Sequence, residues 1–279
     1  MANLTDGLRV DSLTLGNPRK GIVLSEITAQ FKPGEMTVVV GPNGAGKTSL
    51  LRCLAGAKSD AGKVLLDENS VVELRKQQSL SRQLAFLPQH THLQFPLLVS
   101  EVIELGLYNS LVTAGQKQAL LQEVIELFAI GPLWAREYTQ LSGGEQARVQ
   151  LARTVLQLMP ALRFGLGQRS LVLLLDEPVA ALDVAYQVRV LESLRKLCNQ
   201  GLAVVLVLHD LNLALRFGDK VLVLKAGELL ASGCPQSVLT EALLTRVYDI
   251  NAQILRDAES GLAMVLFHSP IAKIAIQQP

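Results

Sequence analysis

One stretch decides the fold of this chain: Gly41, Pro42, Asn43, Gly44, Ala45, Gly46, Lys47 and Thr48. The β-branched run Met36–Val40 comes directly before it and predicts a strand, and the apolar spacing after it predicts a helix from about residue 47 to residue 55. Glycines at such a turn let the backbone bend tightly, so that successive N–H groups and a helix N-terminus face the same point. This arrangement binds a polyphosphate.

Within this loop, Lys47 is expected to reach the β- and γ-phosphates of a nucleotide, and the Thr48 hydroxyl to ligate Mg²⁺. The alternative is a glycine-rich turn with an incidental lysine. The strand before the loop and the helix after it are the context that the phosphate-binding motif requires, so they favour the first interpretation.

The composition predicts a substantial core and no membrane span. The chain has 279 residues, of which 49% are hydrophobic, and its mean hydropathy is +0.31. Its longest apolar runs, 171–175 and 202–208, are far shorter than the roughly 20 residues of a spanning helix. Continuous runs of strand length are typical of a mostly parallel sheet that is buried on both faces.

The charges exclude a nucleic-acid surface. Lys and Arg number 26, Asp and Glu number 25, and no stretch concentrates the basic residues. The N-terminus lacks the pattern of a secretory signal, which predicts a chain that stays in the cytosol. The three cysteines are widely spaced and are expected to be buried thiols.

The order of predicted elements indicates one α/β domain. Strands are predicted at 8–15, 22–31, 36–40, 63–67, 84–87, 171–175, 203–208 and 220–224, with a last strand pair around Gly261; helices are predicted at 47–55, 99–111, 116–129, 145–158, 184–199 and 236–249. Alternating strands and helices imply a doubly wound sheet. The helical stretch between about 90 and 160 reads as an insertion into it.

Two carboxylates follow a buried strand. Asp176 and Glu177 end the run 171–175, at the carboxyl edge where open α/β sheets bind ligands. Adjacent strand residues point to opposite sides, so the two groups have different tasks. Asp176 is expected to hold Mg²⁺ and Glu177 to act on the attacking water as general base. A solvated strand terminus is the alternative, which the neighbouring phosphate loop disfavours.

Two further candidates are His209 and the stretch 141–146. His209 ends the next apolar run, so it is either structural or placed at the same sheet edge to bond a γ-phosphate. Leu141-Ser-Gly-Gly-Glu-Gln146 reads locally as a capping box, with Ser142 as N-cap and Glu145 three residues later. The free N–H groups of such a helix start are also a second anion site.

In their order along the chain these features resemble the ATP-binding cassette (ABC) family. The match comprises the loop at 41–48, Gln89, the stretch 141–146, the carboxylates 176–177, Asp183 and His209. The resemblance implies an α/β P-loop NTPase core with a mostly parallel sheet, an N-terminal antiparallel part and an inserted helical subdomain. The expected division is a core at about 1–89 and 160–250, a helical subdomain at about 90–159 and a C-terminal extension at about 251–279.

The resemblance also implies the working assembly. Two copies would close head-to-tail around two ATP molecules, with Ser142, Gly143 and Gly144 of one copy contacting the γ-phosphate held by the other. Gln89 would touch Mg²⁺ and relay the nucleotide state to a membrane partner. Two permease subunits and, indirectly, a periplasmic substrate-binding protein would complete a transporter, with this chain at the cytoplasmic face of the membrane.

Finer features narrow the resemblance and mark two departures. The segments 87–96, 159–169 and 207–214 are most similar to ATPase subunits of haemin importers. This subgroup belongs with the ATPases of vitamin B12 and iron-siderophore importers.

The chain departs from the family at two places. Family members usually place an aromatic residue for adenine where this chain has residues 13–15, Leu-Thr-Leu, and commonly have Thr and Ser where Val179 and Ala180 stand.

Two other functions fit less well. Soluble ABC ATPases of DNA repair carry long coiled-coil insertions, and those of translation carry two cassettes in one chain; this chain has neither pattern and no basic face. A plain P-loop kinase would leave the 141–146 stretch and Gln89 unexplained. The sequence therefore predicts the ATPase subunit of a transporter.

Overall fold

The computed structural model describes residues 7–17, 21–89, 91, 93–165, 170–257 and 263–268. Among these residues the strands, β1 to β12 in chain order, are Leu8–Asn17, Gly21–Phe31, Met36–Val40, Ala61–Leu66, Asn69–Ser70, Leu84–Leu87, Leu171–Asp176, Leu202–Val207, Lys220–Lys225, Glu228–Gly233, Asn251–Arg256 and Ala263–His268. The α-helices, α1 to α10, are Lys47–Leu54, Val71–Lys76, Val99–Glu104, Ala114–Leu127, Gly143–Leu156, Met159–Phe164, Val184–Cys198, Leu211–Phe217, Pro235–Val238 and Glu241–Tyr248.

A six-stranded sheet forms the centre of the fold, in the order β10-β9-β3-β8-β7-β6. All its neighbours run parallel except β10, which pairs with β9 as an antiparallel edge strand. In this order β3 and β7 both flank β8. The loops that follow these three strands therefore meet at one edge, as the sequence predicted.

Alternate residues of the central strands belong to two apolar clusters on opposite faces of the sheet. Leu173 and Leu175 of β7 pack in the cluster that includes α3, α5 and α7, whereas Val172 and Leu174 pack in the cluster that includes β1, β2 and α1. Burial of each such side chain contributes roughly 1.5–3 kcal/mol. Both faces are covered, which explains why these strands are continuously apolar.

The predicted antiparallel part is a second sheet, with strand order β2-β1-β4-β5. It covers the side of the central sheet that carries α1. The strands β11 and β12 form a separate antiparallel pair, as predicted, although Gly261 itself lies outside the described residues.

Two predicted helices differ from the observed ones. The helix predicted at 99–111 ends at Glu104 and continues as a 3₁₀ turn, Leu105–Leu107. A Cβ on Gly106 would lie 2.4 Å from the carbonyl oxygen of Arg153, so the chain turns here to pack tightly on α5. The helix predicted at 236–249 is divided, because Thr240 accepts a hydrogen bond from the Leu243 N–H and starts a new helix.

The helices α3, α4 and α5 occupy the stretch predicted as a helical insertion, and their apolar faces share one cluster with the central sheet. The exact division at residues 90 and 160 stays a prediction. The segment predicted as distinctive at 159–169 begins with α6, and its residues 166–169 lie outside the described part. Every helix in the described ranges is too short or too polar to pass through a lipid bilayer.

Candidate functional site

The loop at 41–48 joins β3 to α1, and two of its glycines are required by the backbone. Gly41 has a φ of 149°, and a Cβ there would lie 2.1 Å from the carbonyl oxygen of Leu224. Gly46 has a φ of 99°, and a Cβ there would lie 2.9 Å from the carbonyl oxygen of Val23. The loop is therefore wedged between β9 and β2 and has a fixed shape.

Lys47 lies inside this loop and is only 6% exposed. Its Nζ donates hydrogen bonds to the carbonyl oxygens of Gly41 (2.8 Å) and Pro42 (2.9 Å). Burial lowers the pKa of Lys47, and the carboxylates of Glu177 and Asp176 oppose that shift. The loop therefore holds an ammonium group near the two acidic residues at the end of β7.

Asp176 is buried beside the start of α1. It has the same strand parity as Val172 and Leu174, which pack on the side of the sheet that carries α1. Both its carboxylate oxygens are buried and neither has a hydrogen-bond partner of acceptable geometry. Burial raises the pKa of Asp176, and the nearby Thr48 hydroxyl opposes the shift. An orphaned carboxylate beside a hydroxyl fits a hard divalent cation, which takes oxygen ligands.

Glu177 leaves the strand in a left-handed conformation, with a φ of 55°. This conformation costs a non-glycine residue roughly 1–2 kcal/mol, so local structure alone does not favour it. The turn brings the carboxylate between two neighbours: its Oε2 accepts a hydrogen bond from Nε2 of Gln89 (2.9 Å), and its Oε1 lies 2.6 Å from Nε2 of His209. Glu177 is 14% exposed, so the carboxylate is held at the surface of the site.

The three side chains of this cluster follow three neighbouring strands. Gln89 follows β6, Glu177 follows β7 and His209 follows β8. Parallel strands end at the same sheet edge, so residues that are 88 positions apart in sequence come within hydrogen-bonding distance. The predicted placement of His209 beside the carboxylates is confirmed, and its ring, 46% exposed, faces solvent.

A cavity of about 870 Å³ opens in front of the loop. Its lining residues are Ile22, Val23, Asn43, Gly44, Gly46, Lys47, Thr48, Ser49, Gln89, Glu177, His209 and Ala226. We call the Lys47, Glu177 and His209 side chains of this lining its polar end. We call its aliphatic residues, from β2 and from the turn between β9 and β10, its apolar end.

The apolar end was not predicted from the sequence. No periodic pattern or motif in the sequence singles out Ile22. In the structure it is 68% exposed and lines the cavity in front of the phosphate-binding loop. Of the residues where an aromatic was sought, Leu13 is fully buried and Leu15 pairs with Leu24 inside the antiparallel sheet. None of the described residues 13–15 lines the cavity.

The stretch 142–144 lies elsewhere on the molecule, at the N-terminus of α5. The predicted capping box is present: the Ser142 Oγ accepts from the Glu145 N–H (3.4 Å), and Glu145 Oε2 accepts from the Ser142 N–H (2.8 Å). These bonds from Ser142 lower the pKa of Glu145. Ser142 and Gly143 are exposed, and a Cβ on Gly143 would meet no atom within 4 Å. This helix start is open to a ligand but is not part of the cavity within one copy.

The structure also explains why this chain has Val179 where family members commonly have a hydroxyl residue. Val179 is 5% exposed and packs in the cluster with α3, α5 and α7, whereas Ala180 is exposed. Asp183 caps α7 by accepting a hydrogen bond from the Tyr186 N–H at 3.0 Å. The side chain at 179 is therefore a core residue in this chain and cannot supply a contact at the surface.

Comparison with protein families gives a direct match. The family model described as "ABC transporter" matches residues 24–180, more than half of the chain. "Hemin import ATP-binding protein HmuV" of Hahella chejuensis is 39% identical, over 88% of this chain and 93% of that protein. The protein of the same name from Shewanella denitrificans is 38% identical, over 93% of this chain and 100% of its own length.

Solved structures share the fold. The ATP-binding subunit of an ABC transporter superimposes with a TM-score of 0.72 at 21% identity, over 87% of this chain and 93% of that one. The ATP-binding cassette MJ0796, in a dimeric post-hydrolysis state bound to ADP and Pi, gives a TM-score of 0.69 at 25% identity, over 82% of this chain and 98% of that one. The fold predicted from the order of strands and motifs is confirmed.

Proposed function

Because this chain belongs to the ABC transporter family, in which it is an ATP-binding and ATP-hydrolysing member, we propose that it drives haemin import through a separate permease. The observation that carries the ATPase chemistry is the position of Glu177, held between Gln89 and His209 at the mouth of the phosphate-binding loop. The cargo is inferred from similarity to the "Hemin import ATP-binding protein" of several bacteria.

Deletion of the gene tests the cargo. We expect the deletion strain to lose growth on haemin as the sole iron source and to keep growth on ferrous iron, because only the haemin route lacks its motor. Re-introduction of the wild-type gene restores growth, and re-introduction of the Lys47→Ala form does not. A strain that instead loses growth on a ferric siderophore, or loses vitamin B12 uptake, would assign the chain to one of those importers.

In this proposal each residue of the polar end of the cavity has its own role in ATP hydrolysis. Lys47 and the N–H groups of the loop bind the β- and γ-phosphates. Glu177 orients a water molecule and accepts its proton as the water oxygen attacks the γ-phosphorus, while the bond to the β–γ bridging oxygen breaks and ADP leaves. His209 Nε2 contacts Glu177 Oε1 in this structure. In this proposal its N–H turns to the γ-phosphate when ATP binds, which keeps the water in line and frees that Glu177 oxygen for the water. Hydrolysis yields ADP and phosphate.

Mg²⁺ fits the donors beside the loop. We propose that Asp176, Thr48 and Gln89 hold the ion, the first two because an orphaned carboxylate lies beside a hydroxyl. When bound, Mg²⁺ neutralises charge on the phosphate oxygens. Gln89 donates to Glu177 in this structure, so its amide nitrogen is engaged and its amide oxygen is the atom with which it would bind a cation.

In this proposal Ser142, Gly143 and Gly144 at the start of α5 of one copy complete the nucleotide site of a second copy. Ser142 and Gly143 are exposed, and among the described residues no atom lies within 4 Å of a Cβ placed on Gly143, so an anion can approach this helix start from outside. The cavity also leaves its phosphate end accessible. A head-to-tail pair of chains brings two such helix starts to two cavities. ATP binding then closes the pair, and hydrolysis opens it.

A groove on the side of the molecule supports a permease partner. Two adjoining cavities of about 390 and 890 Å³ share Ser81, Arg82, Asn109 and Gln157. Beside them Tyr108 is 85% exposed. An exposed aromatic residue next to a deep groove is typical of a protein interface. We place one integral-membrane permease subunit against this groove in each of the two copies, with the pair at the cytoplasmic face of the membrane and a periplasmic binding protein supplying the cargo indirectly.

The apolar end of the cavity is the proposed adenine site. Since the γ-phosphate points to Glu177, the nucleoside extends toward Ile22, Val23 and Ala226. An adenine ring packed on aliphatic side chains is stabilised by dispersion and by burial of apolar surface, but it has no aromatic ring to stack on.

Substitution of Ile22 tests this contact. We expect Ile22→Ser to raise the KM for ATP about three- to tenfold with little change in kcat, and Ile22→Tyr to lower it, because base–aromatic stacking contributes roughly 1–3 kcal/mol. The control is Val72→Ser, an exposed aliphatic residue on α2 outside this cavity. Equal KM values for Ile22→Ser and the wild type would place adenine elsewhere.

A further inference from the structure

The strands β11 and β12, here called the terminal hairpin, pack on α8 and α10 outside the central sheet. Ile254 and Val265 are paired across the hairpin and face inward, and Val265 is 4% exposed. The hairpin is therefore a docked part of the domain and not a free tail.

The side chain of Asn212 fastens the hairpin to α8. The Val265 N–H donates to Asn212 Oδ1 at 2.8 Å, and Asn212 Nδ2 donates to the Val265 carbonyl oxygen at 3.4 Å. One amide side chain thus satisfies both backbone groups of a buried residue. Such a pair fixes distance and orientation together, which a single bond does not.

Asn212 lies three residues after His209, in the first turn of α8. Asp210 caps this helix, and its Oδ1 accepts from the N–H groups of Asn212 (2.7 Å) and Leu213 (3.3 Å). Two hydrogen bonds therefore hold the short backbone segment between His209 and Asn212. The imidazole at the start of this segment contacts Glu177 at 2.6 Å.

The hairpin has a second connection to the site, through α10. The ring of Phe267 packs edge-on against Tyr248, with the ring centroids 5.8 Å apart. Burial raises the pKa of Tyr248 to about 12, and the nearby backbone of Gly41, the first residue of the phosphate-binding loop, opposes the shift. The hairpin is anchored to α10 also by the Ile254 N–H, which donates to Glu241 Oε1 at 2.8 Å.

We infer that Asn212 is a positioning residue for ATP hydrolysis: together with the terminal hairpin it holds the first turn of α8, and through it His209, against Glu177. This inference rests on the proposed role of His209. Through Asn212 the terminal hairpin is thus a brace on the loop after β8.

The test is Asn212→Ala in the full chain, measured by single-turnover hydrolysis and by nucleotide binding. We expect the hydrolysis rate to fall about tenfold, because a misplacement of 1 Å in a catalytic group can cost about 10²-fold and the loss of one anchor should move His209 by less than that. The affinity for ATP should stay within about twofold, since the phosphate-binding loop is unchanged. Asn212→Asp keeps the acceptor for the Val265 N–H and should retain more activity than Asn212→Ala.

A double-mutant cycle separates positioning from general destabilisation. In a His209→Ala background, Asn212→Ala should cause no further loss, because the residue that it positions is gone. The same fold-loss in both backgrounds, or no loss in the wild-type background, would overturn the inference. If His209→Ala alone keeps full activity, the proposed role of His209 fails, and the role of Asn212 fails with it. Asn251→Ala, which changes an exposed asparagine of the same hairpin, is the matched control and should behave as the wild type.

Discussion

Replacing Glu177 with glutamine is expected to abolish ATP hydrolysis and to leave nucleotide binding intact. The amide has nearly the size of the carboxylate, and its oxygen can still accept the hydrogen bond that Gln89 donates at 2.9 Å. It cannot accept a proton from water at neutral pH. Loss of a general base lowers rates by roughly 10²–10⁴-fold, and we expect kcat to fall within this range. Phosphate release measures the rate, and equilibrium titration with ATP measures the binding.

The left-handed backbone at Glu177 makes the choice of control important. Glutamine keeps the same backbone demands as glutamate, so the protein should fold with the same φ of about 55°. Glu192→Gln, which alters an exposed carboxylate on α7, controls for the change in net charge. Near-normal turnover in Glu177→Gln would remove Glu177 from the role of base and leave positioning by His209 and the loop as the source of the rate.

The parts of this site that the sequence predicted are those fixed by strand parity and sheet order. Continuous apolar runs indicated strands buried on both faces, and the residues that end such strands must meet at one edge. Asp176 and Glu177 were expected to have different tasks, and their surroundings differ: the Thr48 hydroxyl lies near Asp176, whereas Glu177 contacts Gln89 and His209. The loop at 41–48 could be predicted because all its glycines and its lysine lie within eight consecutive residues, so the motif is visible without any tertiary contact.

The parts that the sequence did not predict depend on contacts between distant segments. Gln89 was expected at a metal ion, from family resemblance, and the structure shows its amide nitrogen bound to Glu177, 88 residues away. Ile22 joins the site only because β2 crosses beside the loop. The early end of α3 follows from the close approach of Gly106 to α5, which no local pattern encodes.

The terminal hairpin illustrates the same limit. A last pair of strands was expected, but Asn212 carries no signal that it would bond to Val265, 53 residues later. An asparagine near a helix start reads as an ordinary polar residue. Its partner becomes visible only when the hairpin packs on α8. Tertiary packing, and not local propensity, therefore decides which residues position the catalytic side chains without contacting the nucleotide.

Mixing two inactive variants restores ATP hydrolysis if the site is shared between copies. Lys47→Ala removes the phosphate-binding ammonium, and Ser142→Arg places a bulky side chain at the exposed start of α5. Each variant alone damages both sites of a dimer. A mixed dimer keeps one site, built from Lys47 of one copy and Ser142 of the other. Random assortment makes about half of the dimers mixed, so activity should return to at most about one quarter of the wild-type value.

The choice of partner variant turns this experiment into a test of which residues belong to the same copy. Lys47 and Glu177 line one cavity within a single chain, whereas Ser142 lies outside it. Lys47→Ala mixed with Glu177→Gln should therefore stay inactive, because every site in the mixed dimer lacks one of the two residues. Ser142→Arg mixed with Glu177→Gln should recover as Ser142→Arg with Lys47→Ala does. Normal hydrolysis by each variant alone, or recovery in the first of these mixtures, would contradict a head-to-tail shared site.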